Sequence, residues 1–486
     1  MMKKGKVFLV GAGPGDTGLI TVKGLEAIKG AEVILYDRLA NPKLLEFAPA
    51  DCELIYCGKL PDRHVLRQEI INSLLVEKAL EGKTVIRLKG GDPGVFARVG
   101  EEAEALAEHG ISYDIVPGIS SGIAAPVYAG IPVTHREFGE SFAVVTAHDK
   151  SKDGHPDLDW KSLASGIDTI AFYMGISNLP FICENLVKHG KSAATPVILI
   201  QWGTFGRQKT LEGTLSDIAE KASAEKFSNP AITLVGEIVS LRKKLNWFEK
   251  KPIFGRQVLL ARTGTEESAL AKELSSNGAD VIEFPKWKRS RVEPDKDILG
   301  SISDYERILF TSPESVSEFF EILIGEKIDI RRLKAELFGC SMKSLAALNK
   351  RGFIAELESK MSTSGRLLVV GDSSIMGRPE YKDGDQFITS KKEIDWNHMQ
   401  IFTRMIDEAE VNTVIFPSAA SVRVVMEHGI EIGVIPADLL HRAELVVLGE
   451  KTTGALKEYG LKPNVVPAEP TKSALVESLR NSVNGI

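Results

Sequence analysis

The chain has 486 residues, 43% hydrophobic and 26% charged, with a formal net charge of −6. That length implies two to four domains, and the near-average apolar and charged fractions exclude a disordered or fibrous chain. Lys+Arg is 60 against 66 Asp+Glu, so the basic excess of a general nucleic-acid binder is missing.

KVFLVG (6–11) reads as a buried strand, followed by a Gly/Pro loop, a helix over LITVKGLEAIKGA (19–31) and a second strand over EVILYD (32–37). Short β-branched runs alternating with helical patterns predict parallel α/β architecture. Further strands are expected at 84–92, 142–148, 169–175, 196–203 and 231–239. Ligand loops of such sheets lie at the carboxyl ends of strands, where the glycine-rich segments fall. LRKKLNWFEKKP (241–252) is basic, then aromatic, and ends in Pro252, before a fresh strand in FGRQVLLART (254–263). A first domain is therefore placed at 1–247, a linker at 248–253 and a second domain at 254–486. The second half repeats itself faintly: 308–323 resembles 414–429, and 338–353 resembles 447–461, each a strand, a small polar turn and a helix. Two related α/β lobes would produce this pattern, and a cleft between lobes is a common ligand site.

Cys52, Cys57, Cys183 and Cys340 form no CxxC pair and no zinc-spaced cluster, a usage that fits a reducing cytoplasm. The apolar run Val7–Val10 is too short for a signal peptide, and no stretch predicts a membrane span. No metal site is expected.

Four segments could carry chemistry. In GAGPGD (11–16) glycines allow backbone to approach a ligand. Asp37 ends the next strand about where a ribose-binding acid would sit, but the spacing is GxGxG, and Pro14 removes an amide donor. A tight turn and a nucleotide-type site both remain open. RLKGGDPGVFARVGEE (87–102) is a second Gly/acid loop in the same sheet, which favours a shared ligand over two ordinary turns. In VPGISSGIAAPVYAGIPVTHR (116–136), Ser120 or Ser121 could cap the next helix or bind a ligand. YDRL (36–39) and CGKL (57–60) place Asp37 and Lys59 at strand ends, as an acid/base pair or as a surface ion pair of about 0–1 kcal/mol. His64, Arg67, Arg98, His135 and Arg136 are loop cations that together could receive a polyanion.

These motifs, with VTAH, YMG, TPV and PAITLVGEIVSLR in one order, closely resemble the uroporphyrinogen-III C-methyltransferases over residues 6–248. The resemblance implies the tetrapyrrole-methylase fold, two α/β lobes with S-adenosylmethionine in the cleft between them, and a homodimer. It displaces the dinucleotide reading. It implies transfer of two methyl groups to C2 and C7 of uroporphyrinogen III, giving precorrin-2 for siroheme or cobalamin synthesis. Asp37 falls where the family has its proton acceptor and Lys59 where it has its donor. Pro14, Gly90, Gly91, Asp92, Val95, Ser120, Ser121, Met174, Gly203 and Ala231 fall at cofactor positions. Arg38, His64 and Arg67 are candidates for the substrate. The chain departs from the family at GGDPGVFARVGEE, which lacks two glycines and an aromatic, at Leu60, which replaces a cation, and at VTAH, where VTGH is usual.

Residues 253–486 resemble the uroporphyrinogen-III synthases through FGRQVLLART, GADVIEFP, ILFTSPESV, its repeat partner and GEKTTGALKEYGL. That implies a bilobal α/β domain that cyclises hydroxymethylbilane without a cofactor. Ser312, Ser418 and Thr452 (or Thr453) are its substrate candidates, each with a helix cap as the alternative. The stretch 373–398 departs from the synthase pattern, so a catalytically inactive binding module is the alternative for this half.

Overall fold

The structure is a computed structural model that describes residues 4–58, 67–148 and 154–483. Contacts divide the chain into two compact units: 1–261 with 268–284 and 400–486, and 262–267 with 285–399.

The first unit opens with five parallel strands, β1 (Lys6–Gly11), β2 (Val33–Tyr36), β3 (Glu53–Tyr56), β4 (Thr84–Lys89) and β5 (Ser112–Val116), in the order β3-β2-β4-β1-β5. β1 is continuously apolar because both faces are covered. Val7 and Leu9 pack with Leu75 and Leu106 of helices Gln68–Leu80 and Val99–Glu108, whereas Val10 packs with Ile28 of helix Val22–Lys29. That last helix starts where the Thr21 hydroxyl accepts from the Gly24 amide at 3.1 Å. It is shorter than the sequence pattern suggests, because a 3₁₀ turn, Thr17–Leu19, takes the preceding residues.

The second lobe corrects the expectation of purely parallel strands. β6 (Phe142–Thr146), β7 (Thr169–Tyr173), β8 (Pro196–Gln201), β9 (Lys209–Thr214) and β10 (Ala231–Val235) lie in the order β6-β7-β10-β8-β9. β10 runs antiparallel to β7 and β8, and β9 antiparallel to β8. β9 carries too few apolar residues for a period-two signal; Leu211 is its one buried hydrophobic. β10 stops at Val235, short of the expected 239, because Gly236 turns at φ 147° into a 3₁₀ segment. Phe248 and Ile253, inside the expected linker, are buried, and Phe248 meets Tyr128, Trp247 and Phe254 edge to face.

The second half has two further sheets. β11 (Gln257–Ala261), β12 (Asp280–Phe284), β19 (Thr413–Phe416) and β20 (Glu444–Val447) form a parallel sheet, β12-β11-β19-β20, in the first unit. The strands between them, β13 (Trp287–Arg291), β14 (Arg307–Phe310), β15 (Glu336–Gly339), β16 (Glu356–Leu357), β17 (Leu367–Asp372) and β18 (Asp385–Ile394), form the sheet of the second unit, β13-β18-β17-β14-β15-β16. The repeat is structural. β14 leads through Ser312 into helix Pro313–Gly325, and β19 leads through Ser418 into helix Ala419–Val425, each with a serine capping box.

Candidate functional site

Because β1 to β5 are parallel, the loops that follow them gather at one edge. They meet there by backbone contact. Ala12 N donates to Lys89 O at 2.7 Å, and Gly91 N to Gly13 O at 2.8 Å. A Cβ on Gly118 would stand 2.4 Å from Gly91 O and 2.9 Å from Gly11 Cα. Three loops thus close on one another only because glycines line the seam. Gly118→Ala is expected to cost about 1–3 kcal/mol by overpacking, read as a lower denaturation midpoint. Gly100→Ala, where nothing lies within 4 Å of the added carbon, should leave the midpoint unchanged or raise it.

The second lobe faces this edge through register. Antiparallel pairing sets Ala231, the start of β10, opposite Gln201, the end of β8, and Ile232 opposite Tyr173, the end of β7. One strand start therefore joins two strand ends. The lobes are stapled by the Asp16 amide, which donates to Thr204 Oγ1 at 2.9 Å, and by the Tyr128 hydroxyl, which donates to Asp16 Oδ2 at 2.7 Å. Asp16 also accepts from the Gly18 amide, so the acid of GAGPGD locks the lobes.

Between the lobes lies a cavity of about 560 Å³. Pro14, Asp37, Arg38, Gly90, Gly91, Asp92, Val95, Ser120, Ser121, Met174, Gly203 and Ala231 all line it. Its wall also includes residues that sequence reasoning did not single out: Leu39, Phe96, Tyr173, Ile200, Trp202, Phe205, Asn229 and Ile232. Tyr173 and Trp202 were findable as the neighbours of Met174 and Gly203 at strand ends. Phe96, Met174 and Trp202 take left-handed φ values of 53°, 55° and 49°, a conformation that costs non-glycine residues energy and clusters at functional sites.

Two of these side chains also bind within the chain. The Ser120 side chain caps nothing; its hydroxyl lies 2.5 Å from the Tyr173 hydroxyl, which also accepts from the Gly122 amide. Asp92 bridges two loops, accepting from Gly94 N at 2.7 Å and Gly118 N at 2.9 Å. One lone pair on each of its oxygens is thereby taken, and the others stay available.

Beneath the cavity floor lies a buried charge network. Arg87 Nη2 is 2.5 Å from Asp37 Oδ1, and Arg87 Nε and Lys89 Nζ lie 3.0 and 2.7 Å from Glu102 Oε1. Burial opposes the Arg87 charge, yet Asp37 and Glu102 hold its pKa above the ordinary arginine value. Burial, then the neighbouring Arg87, pulls Lys89 below the lysine range. Arg87 and Lys89 are buried and Glu102 is fully so, while the Asp37 side chain keeps 32% exposure toward the cavity. The described partner of Asp37 is thus Arg87; Lys59 and His64 lie outside the described residues. Arg67 is exposed at the start of helix Gln68–Leu80 and does not line the cavity. Burial pushes the thiols up, Cys57 to about 11 and Cys52, Cys183 and Cys340 to about 12, so none is a nucleophilic thiolate at neutral pH.

In the second half, two of the candidate hydroxyls cap helices. Ser312 and Ser418 accept from the Ser315 and Ser421 amides at 3.0 and 3.2 Å. Thr452 is 5% exposed, inside helix Glu450–Glu458, and Thr453 donates to Gly449 O. Ser312 belongs to the second compact unit, and Ser418 and Thr452 to the first. Among the described residues no helix is long and apolar enough to cross a membrane.

Comparison with known proteins agrees with the residue pattern. Residues 6–219 match the family Tetrapyrrole (Corrin/Porphyrin) Methylases, and residues 392–477 match Uroporphyrinogen-III synthase HemD. A uroporphyrinogen-III C-methyltransferase of Bacillus subtilis is 49% identical over 95% of this chain and 94% of its own length. The porphyrin biosynthesis protein HemD of Ruminiclostridium josui is 33% identical over 98% of both chains. A Thermus thermophilus uroporphyrin-III C-methyl transferase crystallised with S-adenosyl homocysteine is 34% identical, with 49% of this chain and 100% of that one covered at a TM-score of 0.42. Identity across nearly the whole chain, together with these ordered motifs around one cavity, means that the chain belongs to the uroporphyrinogen-III C-methyltransferase family of tetrapyrrole methylases and carries a uroporphyrinogen-III synthase-like region in its C-terminal half.

Proposed function

We propose that the chain methylates uroporphyrinogen III at C2 and C7, giving precorrin-2, with S-adenosylmethionine as methyl donor. The observation that carries this reading is the single cavity shared by the cofactor candidates, Asp37 and Arg38. The cavity suits the donor: its volume falls in the usual range for a small-molecule site, glycine loops expose backbone, and Met174, Ile200 and Ile232 offer an apolar wall. Pro14, Gly90, Gly91, Val95, Ser120, Ser121, Met174, Gly203 and Ala231 would hold it, with Asp92 facing its cationic end.

When bound, S-adenosylmethionine supplies a sulfonium methyl group to an electron-rich pyrrole carbon. The chain's own contribution begins with alignment, worth several kcal/mol when reacting groups are held in line. The rigid glycine seam and the Asp16 staples provide it. Asp37, held by Arg87 and partly exposed to the cavity, accepts the proton that the macrocycle loses. Lys59 returns a proton. Arg38, with His64 and Arg67 as further candidates, pairs with substrate carboxylates.

Residues 1–247 carry methyl transfer in this reading, 248–253 join the halves, and 254–486 cyclise hydroxymethylbilane to uroporphyrinogen III. Fusion supports the last assignment, since one product is the other's substrate. The chain acts as a homodimer through its first half. Ile119, Ile123 and Val127 are exposed at helical spacing beside edge strand β5, whose Tyr113 and Ile115 are also exposed, an apolar stripe suited to a second copy. Four free thiols accord with a cytoplasmic setting.

The test supplies the full chain with hydroxymethylbilane and S-adenosylmethionine and follows product by absorbance and mass. Precorrin-2 carrying two added methyls is expected. Methylation of supplied uroporphyrinogen III alone would remove the cyclase assignment, leaving a methyltransferase with a non-catalytic module. No methylation of either would remove the whole reading.

A further inference from the structure

The helix Met399–Glu408 belongs to the synthase-like half, yet it packs on the loop that follows β2. Ile401 is buried in the same cluster as Tyr36, Ala40, Leu44 and Leu45, and Met405 packs against that cluster. The Arg404 guanidinium lies over the Tyr56 ring, 4.6 Å from its centroid, and 5.8 Å from that of Tyr36. From there its Nη2 donates to the Arg38 carbonyl oxygen. Arg404 Nε and Arg38 Nε stand 3.2 and 4.0 Å from the same carboxylate oxygen of Glu408. At the helix end, the Glu408 carbonyl accepts from Arg207 Nη1 at 2.8 Å, and the Arg207 guanidinium covers the Trp202 ring at 4.1 Å.

Asp37, Arg38 and Trp202 line the cavity. One helix therefore grips a cavity loop from each methylase lobe. The Arg404 side chain is 13% exposed, and a charge so far withdrawn from water is stable only where it is matched; its partners here are the Arg38 backbone, Glu408 and two tyrosine faces. An arginine bonded to a backbone carbonyl fixes the course of that peptide, here Arg38–Leu39, and with it the directions of the Arg38 and Leu39 side chains, which line the cavity beside Asp37.

We propose that helix Met399–Glu408 is a positioning element for methyl transfer, in which Arg404 of the synthase-like half sets the Asp37–Arg38 loop against the substrate. The inference rests on the reading of the cavity as the methyl-transfer site. It makes the methylase depend on the second half by contact, independently of whether that half is itself catalytic.

The experiment uses full-length Arg404→Ala and Arg404→Lys beside the unaltered chain. Arg404→Ala should lower kcat/KM for uroporphyrinogen III roughly ten- to a hundredfold, the scale of misplaced reacting groups. S-adenosylhomocysteine affinity and melting temperature should hold, because the glycine seam and lobe staples are untouched. Arg404→Lys should recover part of the loss, since it keeps the charge but not the fork. Amide exchange should quicken at 37–41 and not at 90–95. Unchanged kcat/KM with unchanged exchange would overturn the proposal. So would a loss of turnover matched by weaker S-adenosylhomocysteine binding and a lower melting temperature, which would mark a merely structural residue. If the unaltered chain fails to methylate, the cavity reading falls, and exchange at 37–41 alone decides whether Arg404 holds the loop.

Discussion

Asp37→Asn is expected to lower methyl-transfer turnover by about two to four orders of magnitude, the usual contribution of a positioned proton acceptor. The asparagine keeps the shape and still offers an oxygen to Arg87, which now lies 2.5 Å from the carboxylate. It cannot take a proton from the macrocycle. Stability should change little, because the Asp37 side chain is a third exposed and Arg87 retains Glu102 at 3.0 Å. The measurement is single-turnover methylation of uroporphyrinogen III, paired with S-adenosylhomocysteine binding by calorimetry. Turnover within about tenfold of the unaltered chain would remove Asp37 as the base. Turnover lost together with cofactor affinity would point instead to a collapsed cavity.

The second large effect is on stability. Glu102 is fully buried and takes both Arg87 and Lys89 on one oxygen. Glu102→Ala leaves two buried cations with one partly exposed carboxylate between them. Breaking a buried pair in this way costs about 3–5 kcal/mol, because the remaining charge is uncompensated. Lys89, already pulled down by burial and by Arg87, should then lose its proton more readily. The unit should melt roughly 4–7 °C lower. Scanning calorimetry of the full chain reads this directly, and an unshifted transition would show that the network carries no net stability. A surface pair such as Lys29–Glu26, with both side chains about half exposed or more, should by contrast be near neutral to substitution.

The cavity wall was legible where its requirements are local. Glycine after an apolar strand needs no partner to be read: it marks backbone that must come close to something. GAGPGD, KGGDP and VPGISS each carried that mark, and the parallel strands brought all three to one edge. The capping serines were legible in the same way, although their chemistry was ambiguous; Ser312 and Ser418 satisfy helix amides, and a hydroxyl before a helix looks the same whether it caps or binds. β9 was not legible, since its residues alternate too weakly to set a period.

What local pattern could establish was therefore the alternation of strands and helices, the strand-end loops and the repeat. These depend on side-chain size, polarity and backbone freedom within a few residues. Tertiary structure alone decided which groups meet. Asp16 finds Thr204 188 residues away, and Arg404 reaches the Arg38 carbonyl across 366 residues. Ala231 enters the cavity because β10 runs against its neighbours, and Asp37 is held by Arg87 of the neighbouring strand β4. Pairings over such separations leave no periodic trace in the chain; they arise from sheet order, strand direction and the need of each buried charge for a partner.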